Sequence, residues 1–114
     1  MRWPNDADGE VLRSLQAGGF DFAKPCLIDF DIDFDNWPPP SAAMSMLSRE
    51  YPSLKIYEPD GELRGYLQVQ VYGLLTYELV TRVQRSISEA MAPFGGRCES
   101  WGVLHDPNAV SYGR

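Results

Sequence analysis

The sequence predicts an α+β fold, a four-stranded antiparallel sheet with helices packed on one face. Two observations predict it. Apolar residues recur with period two in four segments and with helical spacing in three others. Their order along the chain is α, then βαββαβ. That order is two interlocking split β-α-β units behind an extra N-terminal helix, the ferredoxin-like sandwich. At 114 residues the chain suits one hydrophobic core, and it carries no repeat, linker or low-complexity run. Residues 1–114 are therefore expected to form a single domain.

Asn5 to Asp8 offer N-caps for a first helix with Val11, Leu12 and Leu15 at helical spacing, and Gly18-Gly19 stops it. The loop Phe20 to Pro25 leads into a first strand, Cys26 to Asp35. There Ile28, Phe30, Ile32 and Phe34 alternate with Asp29, Asp31, Asp33 and Asp35. The turn Asn36-Trp37-Pro38-Pro39-Pro40 ends it; Trp37 and the prolines either make an exposed ledge or only fix the turn. Ser41 can cap a second helix, Ala42 to about Tyr51, with Ala43, Met44, Leu47 and Tyr51 on one face. Pro52 closes that helix, and a second strand follows, Leu54 to Tyr57. Pro59-Asp60-Gly61-Glu62 is a turn, because proline presets φ and glycine accepts the left-handed position. In the third strand, Gly65 to Tyr72, Leu67, Val69 and Val71 alternate with Tyr66, Gln68, Gln70 and Tyr72. Thr76 can cap a third helix, Tyr77 to Ala92, with Val80, Val83, Ile87, Ala90 and Met91 as its apolar stripe. Pro93 and Gly95-Gly96 end it. Cys98 to Leu104 is the fourth strand, and a loose tail follows.

In this topology the first strand is central, between the third and the fourth, with its apolar side beneath the second and third helices. Cys26 and Cys98 then lie near opposite ends of the sheet, about 20 Å apart at roughly 3.3 Å per residue. A disulfide needs Cα atoms within about 7 Å, so two free thiols are expected. The open face collects the four aspartates with Tyr66, Gln68, Gln70 and Tyr72. Glu99 resists burial, and parity then puts Trp101 beside it on that face, unless a bulge shifts the register. Whether the first helix covers this face is left open by the sequence.

The net charge of −6 and pI near 4.6 argue against direct binding to nucleic acid, whose phosphates demand a basic surface. No apolar run approaches a membrane span and the N-terminus has no apolar signal core, so no membrane association and a cytoplasmic location are expected. Reduced cysteines are the default there.

Asp is a poor strand former, so a stripe of four needs an explanation. It is a solvated face partly neutralised by Lys55, Arg64 or Arg97, an anionic surface for a basic protein, or a metal site. The last would make the chain a metal-dependent phosphoryl-transfer or nuclease-like enzyme using Asp29, Asp31 and Asp33. Such enzymes also need cations for the phosphate, and the sequence shows no Gly-rich loop or basic cluster. A homo-oligomer formed through the open face is a further reading. His105, the only histidine, has no second ligand or nucleophile near it in sequence, and the cysteines read as structural thiols rather than nucleophiles. No catalytic residue, metal or cofactor is expected.

The stretch Cys98-Glu99-Ser100-Trp101-Gly102-Val103-Leu104-His105-Asp106-Pro107-Asn108 resembles the end of the regulator of ribonuclease E activity B (RraB) family, with its acidic-small-Trp-Gly strand and acidic-Pro-Asn tail. The resemblance extends upstream, through the short helix and polar-alternating strand at Val11 to Phe34 and the Asp-Gly hairpin, strand and long helix at Asp60 to Ala92. It implies a ferredoxin-like domain without catalytic activity that binds ribonuclease E, lowers its cleavage of RNA and alters RNA turnover. Charge and resemblance together nominate the open face as the protein-binding surface: Asp29, Asp31, Asp33, Asp35, Gln68, Gln70, Tyr72, Glu99 and Trp101.

Overall fold

A computed structural model of the chain describes residues 3–103. The expectations for Leu104, His105 and the tail lie outside the described residues. In chain order the elements are α1 (Ala7–Ala17), β1 (Cys26–Phe34), α2 (Ser41–Glu50), β2 (Lys55–Tyr57), β3 (Tyr66–Gly73), α3 (Tyr77–Met91) and β4 (Gly96–Val103), with a 3-10 turn at Ala92–Phe94.

Capping chemistry explains two of the three helix starts that the sequence marked. The Asp6 carboxylate accepts from the Gly9 N–H at 2.8 Å, and the Thr76 hydroxyl accepts from Leu79 N–H at 3.0 Å. The Tyr77 hydroxyl also donates to Asp6 at 2.6 Å, and this bond, with the Gly9 N–H, holds the Asp6 carboxyl below its ordinary value. Ser41 does not cap α2 as expected. Pro40 holds the N-cap position without a side-chain bond, so Ser41 is the first helical residue. After α3 the chain reverses at Gly95, whose φ of 74° favours glycine. Gly96 then enters β4 so close to the sheet that a Cβ would lie 2.6 Å from the Phe34 ring.

The sheet order is β2-β3-β1-β4, with every neighbouring pair antiparallel. The central position expected for β1 is therefore observed. The likeness to a ferredoxin-like sandwich is loose in two respects. Strand β2 is only three residues long and exposed throughout, and α1 adds a third helix to the helical layer. Ile28, Phe30, Ile32 and Phe34 are all at most 3 % exposed and pack in one cluster with Leu12 and Leu15 of α1, Leu47 of α2 and Val80, Ile87 and Met91 of α3. Helix α1 packs against α3 on this side, away from the aspartate side of the sheet. No helix among the described residues is long and apolar enough to cross a membrane.

Trp37 fixes the turn after β1. It is half-buried against the core, and its indole N–H donates to Glu58 at 3.1 Å, tying the turn to the connection between β2 and β3.

Both cysteines are free thiols. Cys26 pairs opposite Gly73 and Cys98 opposite Ile32, six residues further along β1. Burial pushes the Cys98 thiol far above its usual range, and the Asp31 and Asp33 carboxylates push the same way; burial raises half-buried Cys26 too. Thiolate is the reactive form. A disulfide-exchange reagent is therefore expected to titrate Cys26 slowly in the native protein and Cys98 only after denaturant is added. Two thiols reacting together under native conditions would contradict this burial.

Candidate protein-binding face

The sheet side turned away from the helices carries the acidic stripe. Strand parity puts Asp29, Asp31 and Asp33 of β1 there, and Gln70 and Gln68 of β3 are the direct cross-strand partners of Asp29 and Asp31. The glutamine amides solvate the carboxylates. Gln70 Nε2 donates to Asp29 Oδ1 at 2.7 Å, and Gln68 Nε2 donates to Asp31 Oδ1 at 3.0 Å. The Tyr57 hydroxyl reaches Gln68 Oε1 at 3.5 Å, and the Tyr57 ring stacks on Tyr66 with centroids 4.7 Å apart. Among the described residues, no buried side-chain nitrogen or oxygen lacks a hydrogen-bond partner.

The row is not uniformly presented. Asp31 is 2 % exposed and Gln68 8 %, so the middle of the face is buried, while Asp29, Asp33 and Gln70 are half-buried. Asp35 lies just past the end of β1. Arg97 Nη1 donates to it at 2.8 Å, and Arg97 Nε approaches Glu99 at 3.4 Å, with 64 % and 71 % of the two acidic side chains exposed. Of the expected neutralising cations, Arg97 fills that role. Arg64 instead donates to the Phe34 carbonyl at 2.9 Å. At the other end of the face, Tyr72 stands opposite Leu27, and they are 68 % and 47 % exposed.

One nominated residue is misplaced by simple alternation. Between β1 and β4 the register shifts at Asp31/Ile32: Asp31 faces Ser100, whereas Ile32 faces Cys98. Glu99 is the extra residue of a bulge, and alternation breaks there. Trp101 consequently faces Phe30 on the helical side and is 1 % exposed. Its indole N–H donates to Asp8 of α1 at 2.8 Å, and Gln84 Nε2 of α3 reaches the same carboxylate at 3.1 Å. Trp101 is thus a core anchor for α1, not part of the open face. Nothing in the local pattern of Asp8 announced this contact, because its partners are 76 and 93 residues away. The Asp–Gln pairs, in contrast, follow from alternation once β1 and β3 are neighbours. The exposed Leu27 could have been found the same way.

Same-side residues on β1 lie about 7 Å apart, and the inner carboxylates are engaged by amides. Among the described residues no group of three or more His, Cys, Asp or Glu is placed to hold a metal ion.

Fold and face together define a small acidic α+β domain whose charged chemistry is displayed on a sheet surface. Residues 5–103 match the family described as regulator of ribonuclease activity B, and the chain belongs to that family. It is thus a member of a regulator family, and a ribonuclease regulator implies a protein partner. No curated protein matches the sequence.

Proposed function

We propose that this protein binds ribonuclease E in the cytoplasm and lowers its cleavage of RNA, modulating RNA turnover without catalysis of its own. Membership of the ribonuclease-regulator family is the observation that carries this reading. The acidic face supports a site for it. Asp29, Asp33, Asp35 and Glu99 offer carboxylates to a basic surface of the enzyme, with Gln70 and Tyr72 beside them. Asp31 and Gln68 hold the middle of the face in shape. Carboxylates so placed stand where RNA phosphates would otherwise sit, which gives an acidic protein a route to inhibition.

The test combines RNA cleavage by purified ribonuclease E with direct binding. Added protein should slow cleavage. Raising salt from about 0.05 M to about 0.5 M should weaken binding by at least about tenfold, because screening shortens from roughly 14 Å to roughly 4 Å. Asp33→Asn with Asp35→Asn and Glu99→Gln should remove most of that salt dependence while leaving thermal stability nearly unchanged. Binding indifferent to both salt and these substitutions would exclude the electrostatic docking, and unslowed cleavage would exclude the inhibition.

A further inference from the structure

The open face has a second, apolar end that its acidic character does not explain. Leu27 and Tyr72 are direct cross-strand partners on that side, yet both are largely exposed. A cavity of about 430 Å³ opens beside Leu27, walled by Phe20, Pro25 and Cys26 with the Asp21–Lys24 ion pair at its rim. Contiguous exposed apolar surface, where it is large, marks an interaction site. Along β1 the next residue on this face is Asp29, about 7 Å from Leu27, and Asp33 lies about 20 Å away at the far end. The face thus runs from an apolar corner into a row of carboxylates, within a domain of net charge −6.

We propose that this corner is the anchoring half of a two-part docking site for a basic polypeptide segment bearing a bulky apolar side chain. The apolar side chain seats between Leu27, Tyr72 and the Phe20–Pro25 cavity. Arginine or lysine residues of the same segment, beginning about 7 Å beyond it, meet Asp29 and then Asp33. The chemistry of the two ends divides the work. Carboxylates act over a Debye length and set the encounter rate, whereas desolvated apolar contact acts only after docking and sets the residence time. The orientation of the partner follows as well: its apolar anchor lies over the start of β1 and its cations toward the end.

The proposal rests on the reading that this face meets ribonuclease E, and the experiment separates the two. Association and dissociation rates with purified ribonuclease E are measured at low and high salt for the unmodified protein, for Leu27→Ser with Tyr72→Ser, and for Asp33→Asn. The double substitution should accelerate dissociation by roughly tenfold or more, as expected when an interface anchor is truncated. It should leave the association rate and its salt dependence within about twofold. Asp33→Asn should do the reverse, slowing association at low salt only. Leu27 and Tyr72 are exposed and Asp33 is half-buried, and a melting temperature matching the unmodified protein confirms that the fold is retained. Binding that is intact with dissociation unchanged by the double substitution would overturn the anchor alone. An effect of Leu27 and Tyr72 on association with no change in dissociation would overturn it equally. Failure of the unmodified protein to bind would remove both readings.

Discussion

Trp101→Ala is expected to lower the unfolding free energy by about 3–5 kcal/mol, the range for truncating a large buried aromatic side chain. Measured by urea denaturation, this would be the largest single-site loss among the substitutions considered. Two contributions add. The indole stands beside Phe30 on the helical side of the sheet, and at 1 % exposure little of its lost volume is open to water. Its N–H also holds Asp8, so the substitution loosens α1, whose Leu12 and Leu15 are buried in the same core. Trp101→Phe keeps part of the packing and loses the hydrogen bond. It keeps an aromatic ring but removes the donor and part of the indole volume, and should cost about 1–3 kcal/mol, less than the alanine, since Gln84 still reaches Asp8. The comparison also distinguishes a core anchor from a surface one. A docking residue would change partner binding and leave the urea midpoint alone; Trp101 should move the midpoint first.

Asp31→Ala should be about 1–3 kcal/mol less stable than Asp31→Asn, again by urea denaturation. Both substitutions remove the charge, so both relieve any repulsion from Asp29 and Asp33, and the difference reports the acceptor oxygen together with the buried volume that Ala lacks. Asn can keep an oxygen toward Gln68 Nε2; Ala leaves that amide in a region where Gln68 is 8 % exposed. Leaving a buried donor unmade is the expensive part of losing a hydrogen bond. Asp33→Asn should behave differently, because Asp33 is only half-buried, and its effect belongs in partner association rather than in the fold. If Asp31→Ala and Asp31→Asn unfold together, the Gln68 bond contributes nothing measurable to stability.

The acidic stripe was legible because its signal is local. Alternation in β1 needs no neighbour to be read, and the apolar residues between the aspartates identify the buried side at once. Pairing β1 with β3 requires only the topology, and the Asp29–Gln70 and Asp31–Gln68 partners then follow by counting. The helices were legible for the same reason: Asp6 and Thr76 cap through side chains that sit three residues from their targets. Boundaries were less secure where a terminus lacks a side-chain cap, as at Ser41, or where a strand has one neighbour only, as at β2.

Two features central to the site were not readable from local pattern. The bulge at Glu99 inserts one residue between Ser100 and Cys98, and with a side-chain period of two a single residue exchanges the faces of everything beyond it. That is why Trp101, expected beside Glu99, lies in the core. The side chosen by α1 is the other. Its apolar residues show that it must bury one face, but either side of the sheet offers a surface. The choice rests on contacts between distant residues, with Asp8 meeting Gln84 and Trp101 and Asp6 meeting Tyr77. Period and charge along the chain were therefore enough for the α+β order, the central acidic strand and its buried side. Which residues share the open face, and that α1 packs on the opposite side, depended on a register shift and a helix docking that exist only once distant segments are packed together.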